Sequence, residues 1–177
     1  MGLAVRKPEL IKRLVLFNTA SFLSMDIPLR IGLCRMPLLG TILIQYLNLF
    51  VRGVLRFGLK RQKRLTQNVR AGYLAPYDTF ENRIANLKFV EDIPMDTTVP
   101  SYSVIQYIED NLKKFDDLPT LIIWGSEDFC FNVKFLNKWR KIFPRAEVRE
   151  VCNAGHLVVE DASDEIIPWI EGFLKEK

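Results

Sequence analysis

The sequence is poor in the residues that most often form metal and disulfide sites. It contains a single histidine, His156, and three cysteines, Cys34, Cys130 and Cys152, among 177 residues. One histidine without a second histidine or a ligand-spaced cysteine supplies too few ligands for a zinc site. The odd number of cysteines, at unmatched spacings and without a C-x-x-C pair, does not indicate a disulfide framework, so a reduced, cytoplasmic setting is predicted. Neither a metal nor another cofactor is predicted.

The chain also lacks a strong excess of charge of either sign. Its net charge is +4, and much of it lies in one stretch, "RFGLKRQKR", with Arg56, Lys60, Arg61, Lys63 and Arg64. A basic segment of this kind can bind nucleic acid or anionic lipid. No nucleic-acid motif or aromatic stacking platform accompanies it, so we predict a solvated helix face and no nucleic-acid partner.

No hydrophobic run is long enough to cross a membrane. The longest, from Met36 to Val51, contains Gln45 and Asn48 and is shorter than the ~20 residues that a membrane span requires. We predict a buried or substrate-facing helix here, and an interfacial helix with peripheral membrane contact is the alternative. No signal peptide is predicted either, since Arg6 and Lys7 precede any long apolar run.

What the sequence does contain is a pattern of strands and helices typical of a globular protein with 49% hydrophobic and 26% charged residues. Two continuous apolar runs, Leu14–Phe17 and "TLIIWG" after Pro119, predict strands buried on both faces, as in a parallel sheet covered by helices. A third, "AEVREVC", alternates more and predicts an edge strand. Helical periodicity fills residues 28–115 without a strand pattern. The order predicts an α/β fold with a three-stranded parallel sheet and an all-helical insertion.

Helix boundaries are predicted from local signals. Asp78 and Glu81 stand three residues apart like a capping box, which predicts a helix that begins there and ends before Pro94. A helix with Val104 and Ile108 on one face is predicted from about residue 101 to 115. Pro168 predicts that the regular part of the last helix begins near Ile167.

Candidate functional residues follow the strands, at the edge of a parallel sheet where active sites gather. Asp128 follows the second strand and His156 the third, and this order fits the acid and base of a nucleophile–histidine–acid triad. Glu127 is the alternative acid, and Asp128 could also simply turn the loop. Asn18, at the tip of the first strand, is either a supporting residue or a turn former. Cysteine–histidine pairs with Cys130 or Cys152 are weaker alternatives.

The motifs together resemble the C-terminal part of an α/β-hydrolase of the haloalkane dehalogenase and epoxide hydrolase type. The resemblance is carried by "RKPELIKRLVLFNTASF", "LPTLIIWGSEDFCF", "FPRAEVREVCNAGHLVVEDASDEI" and the helices between the first two. Within that group, "IGLCRMPLLG", "GYLAPYDTFENRIANLKFVEDIP", "WGSEDFCFN" and "AGHLVVEDA" look most like the β-lactone decarboxylases of olefin biosynthesis. The resemblance implies that Asp128 is the triad acid and His156 its base. It also implies that residues 28–115 form a cap domain over an apolar, in some members long-chain, substrate, on a partial core formed by residues 1–27 and 116–177.

The sequence departs from that family in one respect. The nucleophile elbow, a G-x-[SD]-x-G-like turn, occurs nowhere in these 177 residues, and the oxyanion hole that depends on it is absent with it. A truncated α/β-hydrolase, inactive as this chain alone, is therefore expected. The alternatives are a non-catalytic binding protein and one half of a split hydrolase that another chain completes. An open edge on the first strand would then favour self-association.

Overall fold

The computed structural model describes residues 1–175, and their elements follow the predicted α/β order. The chain begins with α1 (Gly2–Arg6) and a short 3-10 turn (Pro8–Leu10), followed by β1 (Leu14–Leu16). The helical insertion comes next, between β1 and the second strand. It consists of α2 (Leu29–Cys34), a π-helical turn (Thr41–Tyr46), α3 (Leu49–Phe57), α4 (Gln67–Leu74), α5 (Ile84–Glu91) and α6 (Ser101–Asn111), with 3-10 turns at Gln62–Arg64, Ala75–Tyr77 and Leu112–Phe115. The chain closes with β2 (Thr120–Gly125), α7 (Val133–Ile142), β3 (Glu147–Val151) and α8 (Val158–Lys175).

The three strands form one parallel sheet in the order β1-β2-β3. Leu16 pairs with Ile122 and Gly125 with Val151, so the carboxyl ends of β2 and β3 are level. Every residue of β2 is buried, whereas most of β3 is exposed. The predictions that β2 is buried on both faces and that β3 is an edge strand are therefore confirmed within residues 1–175.

Helices cover both faces of this sheet. Alternate strand residues point to opposite faces, and apolar side chains are buried on each. One face packs Ile122 and Trp124 against α6 and α7, with Trp139 fully buried. The other packs Leu121 and Ile123 against Val158, Ala162, Ile166 and Phe173 of α8. The α/β fold that the sequence predicts is confirmed, and within residues 1–175 it has three strands.

The insertion has a small apolar core of its own, formed by Cys34, Ile44, Leu87 and Val90. The polar residues inside its apolar run are buried but satisfied. The Gln45 side chain donates to the Phe80 carbonyl at 3.2 Å and the Asn48 side chain to the Tyr77 carbonyl at 3.1 Å. Buried amides need such partners, and here they hold the π-helical turn against the segment before α5.

Two predicted helix boundaries are wrong. The helix expected at Asp78 begins only at Ile84, because the Asp78 carboxylate accepts from the Asn82 side chain instead of capping a helix. The last helix begins at Val158, not near Ile167, and runs through a break at Ala162 with Pro168 inside it. Pro168 is the sixth residue after Ala162 and lies beyond the first turn of the restarted helix, so it removes one backbone hydrogen bond inside that helix.

Candidate active site

The loops after β2 and β3 bring Asp128 and His156 together. Asp128 Oδ2 lies 2.9 Å from His156 Nδ1, and the Asp128 side chain is fully buried. A carboxylate only accepts hydrogen bonds, so in the neutral imidazole Nδ1 carries the proton and Nε2 keeps its lone pair. No residue among positions 1–175 hydrogen-bonds Nε2. The pair has the geometry of a triad acid and base, whereas Glu127, the alternative acid, pairs with Lys60 instead at 3.7 Å.

Asp128 is held in place by its own loop. Its Oδ1 accepts the backbone N–H of Cys130 at 2.6 Å, which leaves Oδ2 for the imidazole. Phe131 and Phe129 flank His156, with ring centroids 5.6 Å and 6.4 Å from the imidazole centroid. The aromatic walls restrict the rotation of the imidazole and shield the hydrogen bond from water.

Asn18 links the ends of two strands. Its side chain donates to the Gly125 carbonyl at 3.1 Å and accepts the Gly125 N–H at 2.7 Å. The residue is buried. Of the two interpretations that the sequence allows, the structure favours the supporting one, since Asn18 fixes the end of β2 from which Asp128 follows.

Three glycines allow the backbone segments of the site to touch. A Cβ on Gly125 would lie 2.3 Å from the Gly155 carbonyl oxygen, and one on Gly155 would lie 2.4 Å from the Gly58 carbonyl oxygen. Both contacts are with backbone atoms, which cannot rotate away. The Gly58 carbonyl accepts the N–H of Leu157 at 2.9 Å. The end of α3 is thereby joined to the residue that follows His156.

Asp161, which the sequence analysis did not single out, secures the same junction. Its fully buried carboxylate accepts the backbone N–H of Gly155 at 2.7 Å, of Arg61 at 2.7 Å and of Lys60 at 3.0 Å. One anion therefore bridges the histidine loop and the helical insertion. In the sequence, Asp161 appears only as an acid five residues after the histidine. The sequence does not show which backbone N–H groups this carboxylate contacts.

The basic stretch is largely neutralised by acids of the core. Arg61 pairs with Glu165 at 2.6 Å, and Arg64 pairs with Asp164. Both acids lie on α8. These pairs, with Lys60–Glu127, account for three of the five basic residues of the stretch as contacts between the insertion and the sheet layer.

Cys130 is unsuited to act as a nucleophile. Burial, together with the nearby Asp128 carboxylate, raises the pKa of the Cys130 thiol to about 12. Because the thiolate is the nucleophilic form, this thiol is inert near neutral pH. Cys152 is exposed, and no contact joins it to His156 in the described part of the chain.

A cavity of about 790 Å³ opens beside His156. The core contributes Phe129, Cys130, Phe131 and Phe135, and the insertion contributes mainly apolar side chains, among them Ile31, Leu43, Phe50, Val54, Ile93 and Ile105. A cavity of this size and lining suits an apolar ligand. Within residues 1–175, no three His, Cys, Asp or Glu side chains cluster in a way that could hold a metal ion, and no helix is long and apolar enough to cross a membrane.

Comparison with known proteins identifies the family to which the chain belongs. Residues 2–163 match the family described as alpha/beta hydrolase fold. The chain is 44% identical over 179 residues to the cis-3-alkyl-4-alkyloxetan-2-one decarboxylase of Shewanella oneidensis, with 99% of this chain and 56% of that protein covered. The protein of the same name from Xanthomonas campestris is 36% identical, with 98% of this chain and 58% of that protein covered. The chain therefore spans little more than half the length of these relatives.

Solved structures show the same fold. The haloalkane dehalogenase DbeA from Bradyrhizobium elkani superposes with a TM-score of 0.77 at 23% identity, covering 98% of this chain and 63% of that one. The resemblance inferred from the motifs is confirmed at the level of the family. The chain belongs to the α/β-hydrolase fold family.

Proposed function

We propose that this chain supplies the base and the acid of an α/β-hydrolase active site, with His156 as the base and Asp128 as its acid. The observation that supports this most directly is the 2.9 Å contact between Asp128 and Nδ1 of His156, on a histidine that lines the cavity. Nε2 is then the proton acceptor for a nucleophile or water. Asp128 stabilises the imidazolium that forms.

The nucleophile and the oxyanion hole come from residues outside these 177. Their electrostatic contribution is usually the largest part of catalysis, so the chain alone is expected to be inactive. Residues 28–115 act as a cap on a core formed by residues 1–27 and 116–177, and the cavity between them holds a small apolar substrate. The three free thiols support a cytoplasmic location.

The parent reaction that the relatives favour is decarboxylation of a dialkyl β-lactone, because two proteins named for that reaction match nearly the whole chain. Hydrolysis of a haloalkane, an epoxide or an ester is the alternative within the same family. The apolar lining of the cavity suits alkyl chains in each case.

Complementation tests this proposal. We would co-express the chain with the part of the Shewanella oneidensis decarboxylase that it does not match, and purify the two together. With a cis-3-alkyl-4-alkyloxetan-2-one as substrate, we expect the pair to release the alkene, detected by gas chromatography, and each part alone to release none. Halide release from a haloalkane and acid release from an ester are measured in parallel. A stable pair that turns over none of these substrates would contradict the proposal.

We also propose that the chain on its own self-associates through the open edge of β1. Among residues 1–175, β1 pairs with β2 only, and Leu14 and Leu16 are buried against one face of the sheet. An unpaired edge on an apolar strand attracts a second strand. We expect sedimentation velocity to show dimers or larger species of the 20.6 kDa chain and calorimetry to show a weak transition. A monomer that melts cooperatively would refute this expectation.

A further inference from the structure

We propose that the mouth of the cavity docks on an anionic lipid surface, so that an apolar substrate enters directly from the bilayer. The partner of the cap is then an anionic bilayer. The proposal depends on the apolar substrate proposed above, but its test measures lipid binding and not turnover, so the two can fail separately.

The charge of residues 27–77, the first part of the insertion, is the first observation. No Asp or Glu occurs between Asp26 and Asp78, although nine basic residues do. They are Arg30, Arg35, Arg52, Arg56, Lys60, Arg61, Lys63, Arg64 and Arg70. The modest net charge of the whole chain hides this asymmetry, because the acids lie elsewhere. A one-signed surface of this kind attracts a surface of opposite charge.

Three of these arginines surround the mouth of the cavity. Arg30, Arg52 and Arg56 are exposed and line it. No carboxylate of the described residues lies within ion-pair distance of any of them. This distinguishes them from Lys60, Arg61 and Arg64, which contact acids of the core. Three of the six basic residues of this stretch without an ion pair among the described residues therefore line the cavity, together with one exposed acid that likewise has no ion pair among them, Asp92.

An aromatic ring holds two of the arginines together. The Arg30 guanidinium lies 3.9 Å from the centroid of the Phe57 ring and the Arg56 guanidinium 5.7 Å from it. Phe57 is itself 39% exposed and lines the cavity. Guanidinium groups stacked on an exposed ring can bind phosphate while the ring enters the apolar layer.

Exposed aliphatic side chains lie near Arg30 and Arg35 in the sequence. Leu29 is 79% exposed, Leu33 is exposed one turn later on α2, and Met36 is exposed just after α2 ends. The next segment repeats this pattern with Leu38, which is 80% exposed, and Ile42. Single exposed apolar residues are ordinary, but a series of them beside arginines is typical of segments that lie in a membrane interface. Leu33 also lines the cavity, which connects this surface with the interior.

An anionic bilayer fits these features better than a free anion does. A single carboxylate or phosphate would require one or two arginines and no exposed leucines. Lipid headgroups contact all three arginines, and the acyl layer accepts the aliphatic side chains. The cavity then opens into the phase in which an apolar substrate is dissolved.

Vesicle flotation in a density gradient, which separates vesicle-bound protein from self-associated protein, tests the proposal on the 177-residue chain. We compare phosphatidylcholine vesicles with vesicles of phosphatidylcholine and phosphatidylglycerol. Each basic residue near an anionic surface strengthens binding about fivefold. The triple variant Arg30→Gln, Arg52→Gln, Arg56→Gln is therefore expected to lose about a hundredfold in binding to the anionic vesicles. The charge-matched control is Lys63→Gln, Arg70→Gln, Lys114→Gln, whose residues are exposed and do not line the cavity. It should lose far less.

A second pair of variants tests the apolar part. Leu29→Gln with Leu38→Gln should weaken binding, whereas Leu3→Gln with Leu174→Gln, which are also exposed, should not. Circular dichroism confirms that each variant is folded. The proposal is overturned if the native chain binds neither vesicle, if it binds both equally, or if the control triple loses as much as the mouth triple. If the mouth binds a protein partner instead, the native chain would bind neither vesicle.

Discussion

Replacing Asp128 with asparagine is expected to lower turnover by the complemented enzyme about 10³- to 10⁴-fold. Asp128 Oδ2 accepts from Nδ1 of His156 at 2.9 Å, which leaves Nε2 unprotonated and basic. Because the Cys130 N–H occupies Oδ1, asparagine would keep its carbonyl there and direct its NH₂ group at the imidazole. Nδ1 would then have to accept, and the proton would move to Nε2. The measurement is kcat on the β-lactone, with KM expected to change little.

The neighbouring acid provides a matched control. Glu127→Gln removes the same charge one residue away, but its side chain contacts Lys60 and not the histidine. Its kcat should stay within about threefold of the native value, because an exposed ion pair contributes little interaction energy. Equal losses for Asp128→Asn and Glu127→Gln would refute the assignment of the acid.

The tautomer can be observed without catalysis. Because His156 is the only histidine, nitrogen NMR of the imidazole reports this residue alone. We expect the native chain to carry the proton on Nδ1 and the Asp128→Asn variant to carry it on Nε2. An unchanged tautomer in the variant would contradict the proposed role of Asp128 even if turnover fell.

The sheet and its loops could be predicted because the signals involved are local. Continuous apolar runs such as "TLIIWG" identify strands that are buried on both faces. In a parallel sheet their carboxyl ends meet at one edge. It follows that Asp128 and His156, each a few residues after a strand, come together, although their hydrogen bond is between residues 28 positions apart.

The remaining features depend on contacts that a sequence does not display. Asp78 and Glu81 have the spacing of a capping box, but the Asp78 carboxylate accepts a hydrogen bond from the Asn82 side chain. Arg83 donates to the carbonyls of Tyr77 and Gln45, which holds this segment as turns until Ile84. Tertiary hydrogen bonds of this kind override local propensity.

The position of the insertion against the loops after β2 and β3 could not be predicted from the sequence for the same reason. Periodicity indicates which residues are helical, but not which backbone atoms approach each other. The Gly58, Gly125 and Gly155 contacts join three segments that are distant in sequence, and nothing in the individual glycines distinguishes them from Gly53 or Gly172, which have open space around them.

The strongest constraint on this junction is Asp161, and Asp161→Asn is expected to destabilise the fold by about 3 kcal/mol or more. Both carboxylate oxygens accept backbone N–H groups, Oδ2 from Gly155 and Oδ1 from Arg61, and Lys60 lies within reach of each. In either orientation an asparagine NH₂ group would face a backbone donor. A buried N–H would lose its partner, and the remaining bonds would lose the charge that strengthens them. Urea denaturation of the complemented enzyme measures the difference.

Asp164→Asn is the matched control, because Asp164 lies on the same helix and pairs with Arg64, but its side chain is 75% exposed. Solvent screens such a pair, so this variant should unfold close to the native midpoint. Amide exchange locates the effect. In Asp161→Asn the N–H groups of Gly155, Lys60 and Arg61 should exchange faster, while those of β2 keep their relative protection. If both variants lost stability equally, or if these three amides stayed protected, Asp161 would not be the link between the histidine loop and the insertion.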